Sequence, residues 1–166
     1  MTDPVATTNL NYTLTSTSRL LGRGASGRPR QGRLEITAAR NPDAPGPAGC
    51  RAITLTLPTG TGRAALTDQP ERIDSSYSAT GSWYLLKNTA DPERISFTFR
   101  PSNPRHEAVF DDGATFVVTL DNIPLTAVPG DYTLTVTDES STGTTGFAVG
   151  SAALTLTVHP APDPPG

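Results

Sequence analysis

An antiparallel β-sandwich of about seven to nine strands is the fold class this sequence predicts, on three observations. Threonine alternates with apolar residues along the chain, as in Tyr12-Thr13-Leu14-Thr15, Ile53-Thr54-Leu55-Thr56-Leu57, Tyr132-Thr133-Leu134-Thr135-Val136-Thr137 and Leu154-Thr155-Leu156-Thr157-Val158. A period of two puts one residue type on each face of a strand, so aliphatic groups point inward and hydroxyls outward. The 15 Gly and 16 Pro fall in clusters between these stretches, where they end strands rather than continue them. No stretch carries an apolar stripe at helical spacing over three or four turns; only 64–68 and 70–74 are compatible with a turn or two of helix.

Eight strands are expected in order. The first, 10–17, places Leu10, Tyr12 and Leu14 inward, and the second, 33–39, does the same with Leu34 and Ile36. The cluster Asn41-Pro42-Asp43-Ala44-Pro45-Gly46-Pro47 precedes the third, 51–57, with Ile53, Leu55 and Leu57 inside. The fourth, 82–87, carries Trp83 and Leu85, and the fifth, 94–100, carries Ile95, Phe97 and Phe99. The sixth, 115–122, contributes Phe116, Val118 and Leu120. In the seventh, 131–138, Tyr132, Leu134 and Val136 face inward. The last, 147–158, changes parity between Val149 and Leu154, and a bulge near Gly150-Ser151 would restore its inward face. Trp83, the only tryptophan, is placed at the sandwich centre, with a surface binding role as the alternative.

The chain of 166 residues suits one domain at 9–159, with a flexible lead at 1–8 and a proline-rich tail or linker at 160–166. Such a tail suggests a module of a longer protein. No run of 18 apolar residues is present, so no membrane span is expected. The first residues lack the basic and apolar regions of a secretory signal, which leaves retention in the cell, leaderless export or a processed form open. A net charge of −3 argues against nucleic acid as a partner. Cys50 is the single cysteine, so no internal disulfide forms, and it is expected as a small core residue rather than a nucleophile.

The segment from Asp111-Asp112-Gly113 through Phe116-Val117-Val118-Thr119-Leu120 and Asn122-Ile123-Pro124 to Pro129-Gly130-Asp131-Tyr132 resembles a strand pair of bacterial immunoglobulin-like or cohesin-like sandwich modules. The resemblance covers the C-terminal half of the chain. It implies an immunoglobulin-like sandwich in which a buried Tyr132 hydroxyl bonds back to main chain. Such modules serve as adhesion units, spacers, carbohydrate binders and shell subunits, so the fold does not select a function.

Chemistry-bearing residues are sparse. His106 and His159 are the only histidines, no Gly-x-Ser-x-Gly elbow is present, and His106 reads as an exposed loop residue. Two histidines and one cysteine do not make a structural zinc site. The pairs Asp111-Asp112 and Asp138-Glu139 leave calcium open, against the reading of solvated turn formers. Pro58-Thr59-Gly60-Thr61-Gly62-Arg63 lacks the Gly-Lys-Ser/Thr ending of a phosphate loop and is a turn.

No catalytic residue, cofactor or metal site is therefore expected, and the chain is read as non-enzymatic. The unusual stretch is the Arg/Gly-rich loop at 18–33, where Arg19, Arg23, Arg28, Arg30 and Arg33 occur without a compensating acid. It reads either as a partner-docking arm or as a long solvated loop. A non-catalytic interaction or spacer module, with a protein partner or self-association, is the expected function. A self-assembling subunit of a shell, tail or filament is the alternative. A carbohydrate-binding module would use Trp83, Tyr84 and Tyr77 as its platform.

Overall fold

Among the described residues eleven strands form in chain order: β1 (Val5–Ala6), β2 (Leu10–Thr15), β3 (Arg30–Arg40), β4 (Ala48–Pro58), β5 (Asp74–Ala79), β6 (Trp83–Asn88), β7 (Arg94–Pro101), β8 (Ala108–Phe110), β9 (Thr115–Leu125), β10 (Gly130–Ser141) and β11 (Ala148–Val158). They are seen in a computed structural model that describes residues 5–7, 9–15, 30–44, 46–62, 65–79, 82–102, 108–111, 113–125, 128–142 and 146–160, without the side chains of residues 15, 30 and 31. One sheet has the order β1-β2-β3-β9-β5, and the other has β11-β10-β4-β7-β6 with β8 also paired to β4. All pairings between these strands are antiparallel. The expected sandwich forms, with three more short strands than the alternation revealed.

Those three were missed for a physical reason. β1 and β8 are two and three residues long, too short to show a period. β5 is Asp74-Ser75-Ser76-Tyr77-Ser78-Ala79, almost without apolar contrast. A single turn of 3-10 helix at Pro70–Arg72 precedes it. Val5 and Ala6, placed by the sequence in a flexible lead, pair with Tyr12 and Asn11, and Thr7 is buried. The strand β3 starts at Arg30, so the last residues assigned to the Arg/Gly-rich loop belong to the sheet.

The inward residues named from parity form one continuous core. Leu85 is the exception, half-buried against its margin. Two irregularities keep the faces in phase. In β4, Cys50 pairs with Ser140 and Ala52 with Glu139, so Arg51 is an extra residue. Parity changes there, and both Ala52 and Ile53 are buried. In β9, a second shift lies opposite Gly32 and Leu34, where Asn122 adopts φ 55°. Asn is among the few residues that tolerate the left-handed region. The shift lets Ile123 and Leu125 continue the inward face that Phe116, Val118 and Leu120 begin. The strand therefore runs through Leu125, where the sequence suggested a link at Asn122-Ile123-Pro124.

The bulge expected near Gly150-Ser151 does not form. β11 pairs with β10 in unbroken register from Gly130↔Val158 to Ser140↔Ala148. Its first half keeps the core-side parity with small residues, Gly150 and Ala152 half-buried, while Val149 and Ser151 face outward and are exposed.

Two contacts close the sandwich from sheet to sheet. On the β5/β6 side, Phe116 lies 4.4 Å from Trp83, 5.3 Å edge-on from Phe99 and 5.7 Å stacked from Tyr77, measured between ring centroids. The Tyr77 hydroxyl donates to the Trp83 carbonyl at 2.9 Å and accepts from the Trp83 amide at 3.0 Å. On the β1/β11 side the tie is polar and is described below. The Tyr132 hydroxyl donates to the Val128 carbonyl at 2.5 Å, the backbone bond that the resemblance implied.

Phe116→Ala is expected to cost about 3–5 kcal/mol, because it removes the ring at which both sheets meet. Chemical denaturation of the variant measures this, and a loss under 1 kcal/mol would show that the cluster is not structural.

Candidate functional site: an open sheet edge beside a buried carboxylate

Of the sequence-predicted docking arginines, only Arg33 has a side chain among the described residues. Arg19, Arg23 and Arg28 lie outside them. Arg30 is in β3 opposite Leu125, and its side chain is outside the description. Arg33 sits on the outer face of β3 with its guanidinium 3.8 Å from the Asp121 carboxylate.

The other candidates fall as follows. His106 lies outside the described residues, and His159 directly follows β11. Asp111 is exposed and starts a turn closed by the Ala114 amide on the Asp111 carbonyl. Asp112 lies outside the description. At the glycine-rich turn, the Thr59 amide donates to Glu93 and the Gly60 amide to Thr67, both at 2.9 Å. These two N–H groups are spent on the fold, although a depression of about 620 Å³ lies over the turn. Gly60 holds φ 109°, and a Cβ there would meet the Pro92 carbonyl at 3.0 Å. Among the described residues no three His, Cys, Asp or Glu side chains converge on a metal position.

The supposed carbohydrate platform is dismantled by packing. Trp83 is only 6% exposed, and the Tyr77 ring and hydroxyl are engaged as described above. Tyr84 alone of the three stands outward free of such contacts, at 43%.

Asp138 is the residue that sequence reasoning misjudged. It is a strand residue buried to 1% exposure, not a solvated turn former. Its parity with Tyr132, Leu134 and Val136 was the available signal. Thr7 donates to its carboxylate at 2.6 Å, Tyr12 at 2.7 Å and Ser140 at 3.3 Å. Asn9 completes the group by donating to Ser140 Oγ at 2.9 Å. Thr7, Asn9 and Tyr12 come from the β1–β2 end of one sheet, and Asp138 and Ser140 from β10 of the other. The cluster is thus an inter-sheet tie with every buried side-chain polar atom satisfied among the described residues.

Burial raises the Asp138 carboxyl above its ordinary value, outweighing the Thr7, Tyr12 and Ser140 donors that lower it. Burial and then the Asp138 charge raise the Tyr12 hydroxyl well above its usual range. The same two causes push the buried Cys50 thiol up to about 12. At that value almost no thiolate exists at neutral pH, so Cys50 is inert.

The outer face of the second sheet carries the hydroxyls expected from the alternation. Thr54 and Thr98 pair at 3.1 Å, Thr56 and Ser96 at 3.3 Å, and Thr157 donates to Asp131 at 2.8 Å. In these three pairs the bond runs across neighbouring strands.

No protein-family model matches the chain, and neither does any curated protein. Among solved structures it is similar to AvmM, which catalyses macrocyclization in alchivemycin A biosynthesis. That likeness is at 8% identity and a TM-score of 0.51, over 95% of this chain and 92% of the other. BslA, a bacterial hydrophobin, is similar at 16% identity and a TM-score of 0.51, over 95% and 99%. A cohesin module from a Clostridium perfringens family 33 glycoside hydrolase follows at 9% identity and 0.43, over 94% and 100%. At such identities the first two likenesses show the fold alone. One of those two proteins is a catalyst and the other a hydrophobin, so the fold leaves function to the surface. The β-sandwich part of the expected resemblance stands.

What remains distinctive is the treatment of the sheet edges. Unpaired edge strands invite foreign strands, and proteins blunt them by shortness, charge, proline or cover. β1 and β8 are short. β5 is six residues long, carries Asp74, and is tied to β6 through Tyr77. β6 carries Lys87, whose ammonium donates to the Glu71 and Ile73 carbonyls at 3.2 and 3.0 Å. Among the described residues β11 relies on neither shortness, charge nor proline: it is eleven residues long and ends the sheet, with the two-residue β1 packed against it. Among the described residues its main-chain bonds run to β10.

Two outcomes follow from the buried groups. Between its ordinary and its raised value Asp138 holds its proton in the folded chain but not in the unfolded one. Its contribution is therefore most favourable below the ordinary carboxylate value and is lost as pH rises through the raised one. Measured by denaturant midpoints, the native chain should lose stability relative to Asp138→Asn as pH rises through the acid range; a pH-independent difference contradicts this. Cys50 should react with a thiol reagent at neutral pH only as fast as the chain unfolds, and at once in denaturant.

Proposed function

We propose that this chain is a non-catalytic β-sandwich module that acts by surface contact with protein. The single observation that supports it most is the β11 edge: long, uncharged and, among the described residues, paired only with β10, in a sandwich whose other described edges are short, charged or tied. The chemistry of the described side chains agrees with this reading. Asp138 is consumed in joining the sheets, Cys50 is held as an unreactive thiol, and Thr54, Thr56, Ser96 and Thr98 pair their hydroxyls across β4 and β7. Strand addition at such an edge draws affinity from main-chain hydrogen bonds, which need no reactive side chain.

A second reading, docking of an anionic partner, is favoured by the run of arginines before β3. It rests on Arg19, Arg23, Arg28 and Arg30, since Arg33 is already paired with Asp121. The two readings use different surfaces.

A photoreactive residue placed at Val149 or Thr157, and for comparison at Thr56 on the outer face, tests the edge in the native host. Adducts with protein are expected from Val149 and Thr157. Adducts from Thr56 alone would move the contact to the hydroxyl face, and adducts from none would count against a contact module.

A further inference from the structure

We propose that the occupant of the β11 edge is β11 of a second copy of this chain, paired antiparallel about a two-fold axis at Ala153. The proposal rests on the surface-contact reading above and names its partner.

The sequence of the strand, Ala148-Val149-Gly150-Ser151-Ala152-Ala153-Leu154-Thr155-Leu156-Thr157-Val158, is divided by size. Its first half is small apart from Val149, and its second half is large. Antiparallel pairing centred on Ala153 sets Ala148 against Val158, Gly150 against Leu156 and Ala152 against Leu154 on the core-side face. On the outer face it sets Val149 against Thr157 and Ser151 against Thr155. Large therefore meets small on the core side, and each residue meets one from its own face. A slip of one residue would turn every side chain of the incoming strand to the wrong face. Slips that preserve the faces shorten the pairing. Full overlap and matched faces thus coincide in one register, which is a self-complementary arrangement of the kind a two-fold interface requires.

Charge points the same way. A chain of net charge −3 ordinarily repels its copy, but β11 has no charged residue to oppose itself. The nearest acids in register, Asp131 and Glu139, stand one strand back, opposite Thr157 and Val149. In the paired arrangement the Asp131 and Glu139 of different copies face each other across three strand spacings, ~14 Å, beyond the Debye length of ~8 Å at physiological salt. The pairing also covers Val149, which is 72% exposed in the single chain.

The area sets the strength. Eleven residues make an edge ~37 Å long and about 10 Å deep, so each copy covers roughly 370 Å² and the pair roughly 740 Å². A standard stable interface buries about 1,600 Å². The expected association is therefore weak and concentration-dependent, and it joins the two β11-containing sheets into one continuous sheet.

The test uses the full chain with single cysteines on β11 and a short bifunctional thiol reagent, with buried Cys50 as the unreactive background. Ala153→Cys should crosslink to its own copy, because residues directly opposite have Cβ atoms ~4.5–5.5 Å apart. Val149→Cys alone and Thr157→Cys alone should not, since like positions lie ~27 Å apart in this register. A mixture of those two variants should crosslink, and only between unlike chains. Sedimentation velocity should show dimer growing with concentration, reduced at least tenfold in Ser151→Lys. Strict monomer at every concentration, or crosslinking indifferent to position, overturns the proposal. If β11 of a monomeric chain still forms adducts with a different protein, self-pairing fails and the surface-contact function stands. If β11 forms no adduct with any protein, both fail.

Discussion

The structure depends on keeping the inward faces of two sheets in phase along strands that are mostly longer than the core they cover. A strand alternates with a strict period of two, so any change in which residues must point inward needs an extra residue in the ladder. The chain supplies that residue twice, at Arg51 in β4 and beside Asn122 in β9. Each shift lets one strand serve two stretches of core. Cys50 and Ala52 bury on one parity and Ile53, Leu55 and Leu57 on the other, and β9 changes over between Leu120 and Ile123. In β11 no such correction occurs, because small Gly150 and Ala152 continue the core-side parity of Leu154 while Val149 faces outward.

Two unlike ties hold the sheets together. The rings of Phe116, Trp83, Phe99 and Tyr77 bury apolar area in edge-on, tilted and stacked contacts, which need no polar partner. At the other side a carboxylate is buried without a cation, and three hydroxyl donors serve it instead. Burial costs the ionised form more than those donors return, which is why the Asp138 proton is held more tightly than usual. What the arrangement gives is direction: hydroxyls from β1 and β2 must meet a specific residue of β10, so the short β1 has a fixed place despite its two residues.

The same economy shapes the surface. Some outer hydroxyls bond across strands, the buried titratable groups described above are spent on structure, and β1, β5, β6 and β8 are short, charged or tied. Among the described residues one long main-chain edge remains, that of β11. A sandwich of this fold is compatible with a macrocyclization catalyst and with a hydrophobin, so architecture by itself does not direct function. The distribution of bonded and unbonded groups over the surface does.

The long strands and nearly all of the core were legible in the sequence, because side-chain burial in a strand repeats every two residues whatever the strand pairs with. Leu55, Phe97, Leu134 and Leu156 announce their burial within a few neighbours. The inertness of Cys50 was legible too, as a small apolar residue next to a strand. Asp138 was not, since a carboxylate at the end of an alternating run looks the same whether it meets water or two hydroxyls from residues 131 and 126 positions away. Nor was the open edge. The composition of β11 is written in the chain, but which strand ends a sheet is set by pairing partners distant in sequence. The sequence by itself determined which residues turn inward, because that is a local periodicity. Only the tertiary structure decided which polar groups are consumed and which backbone is left exposed, because both depend on what the opposite sheet and the neighbouring strand bring.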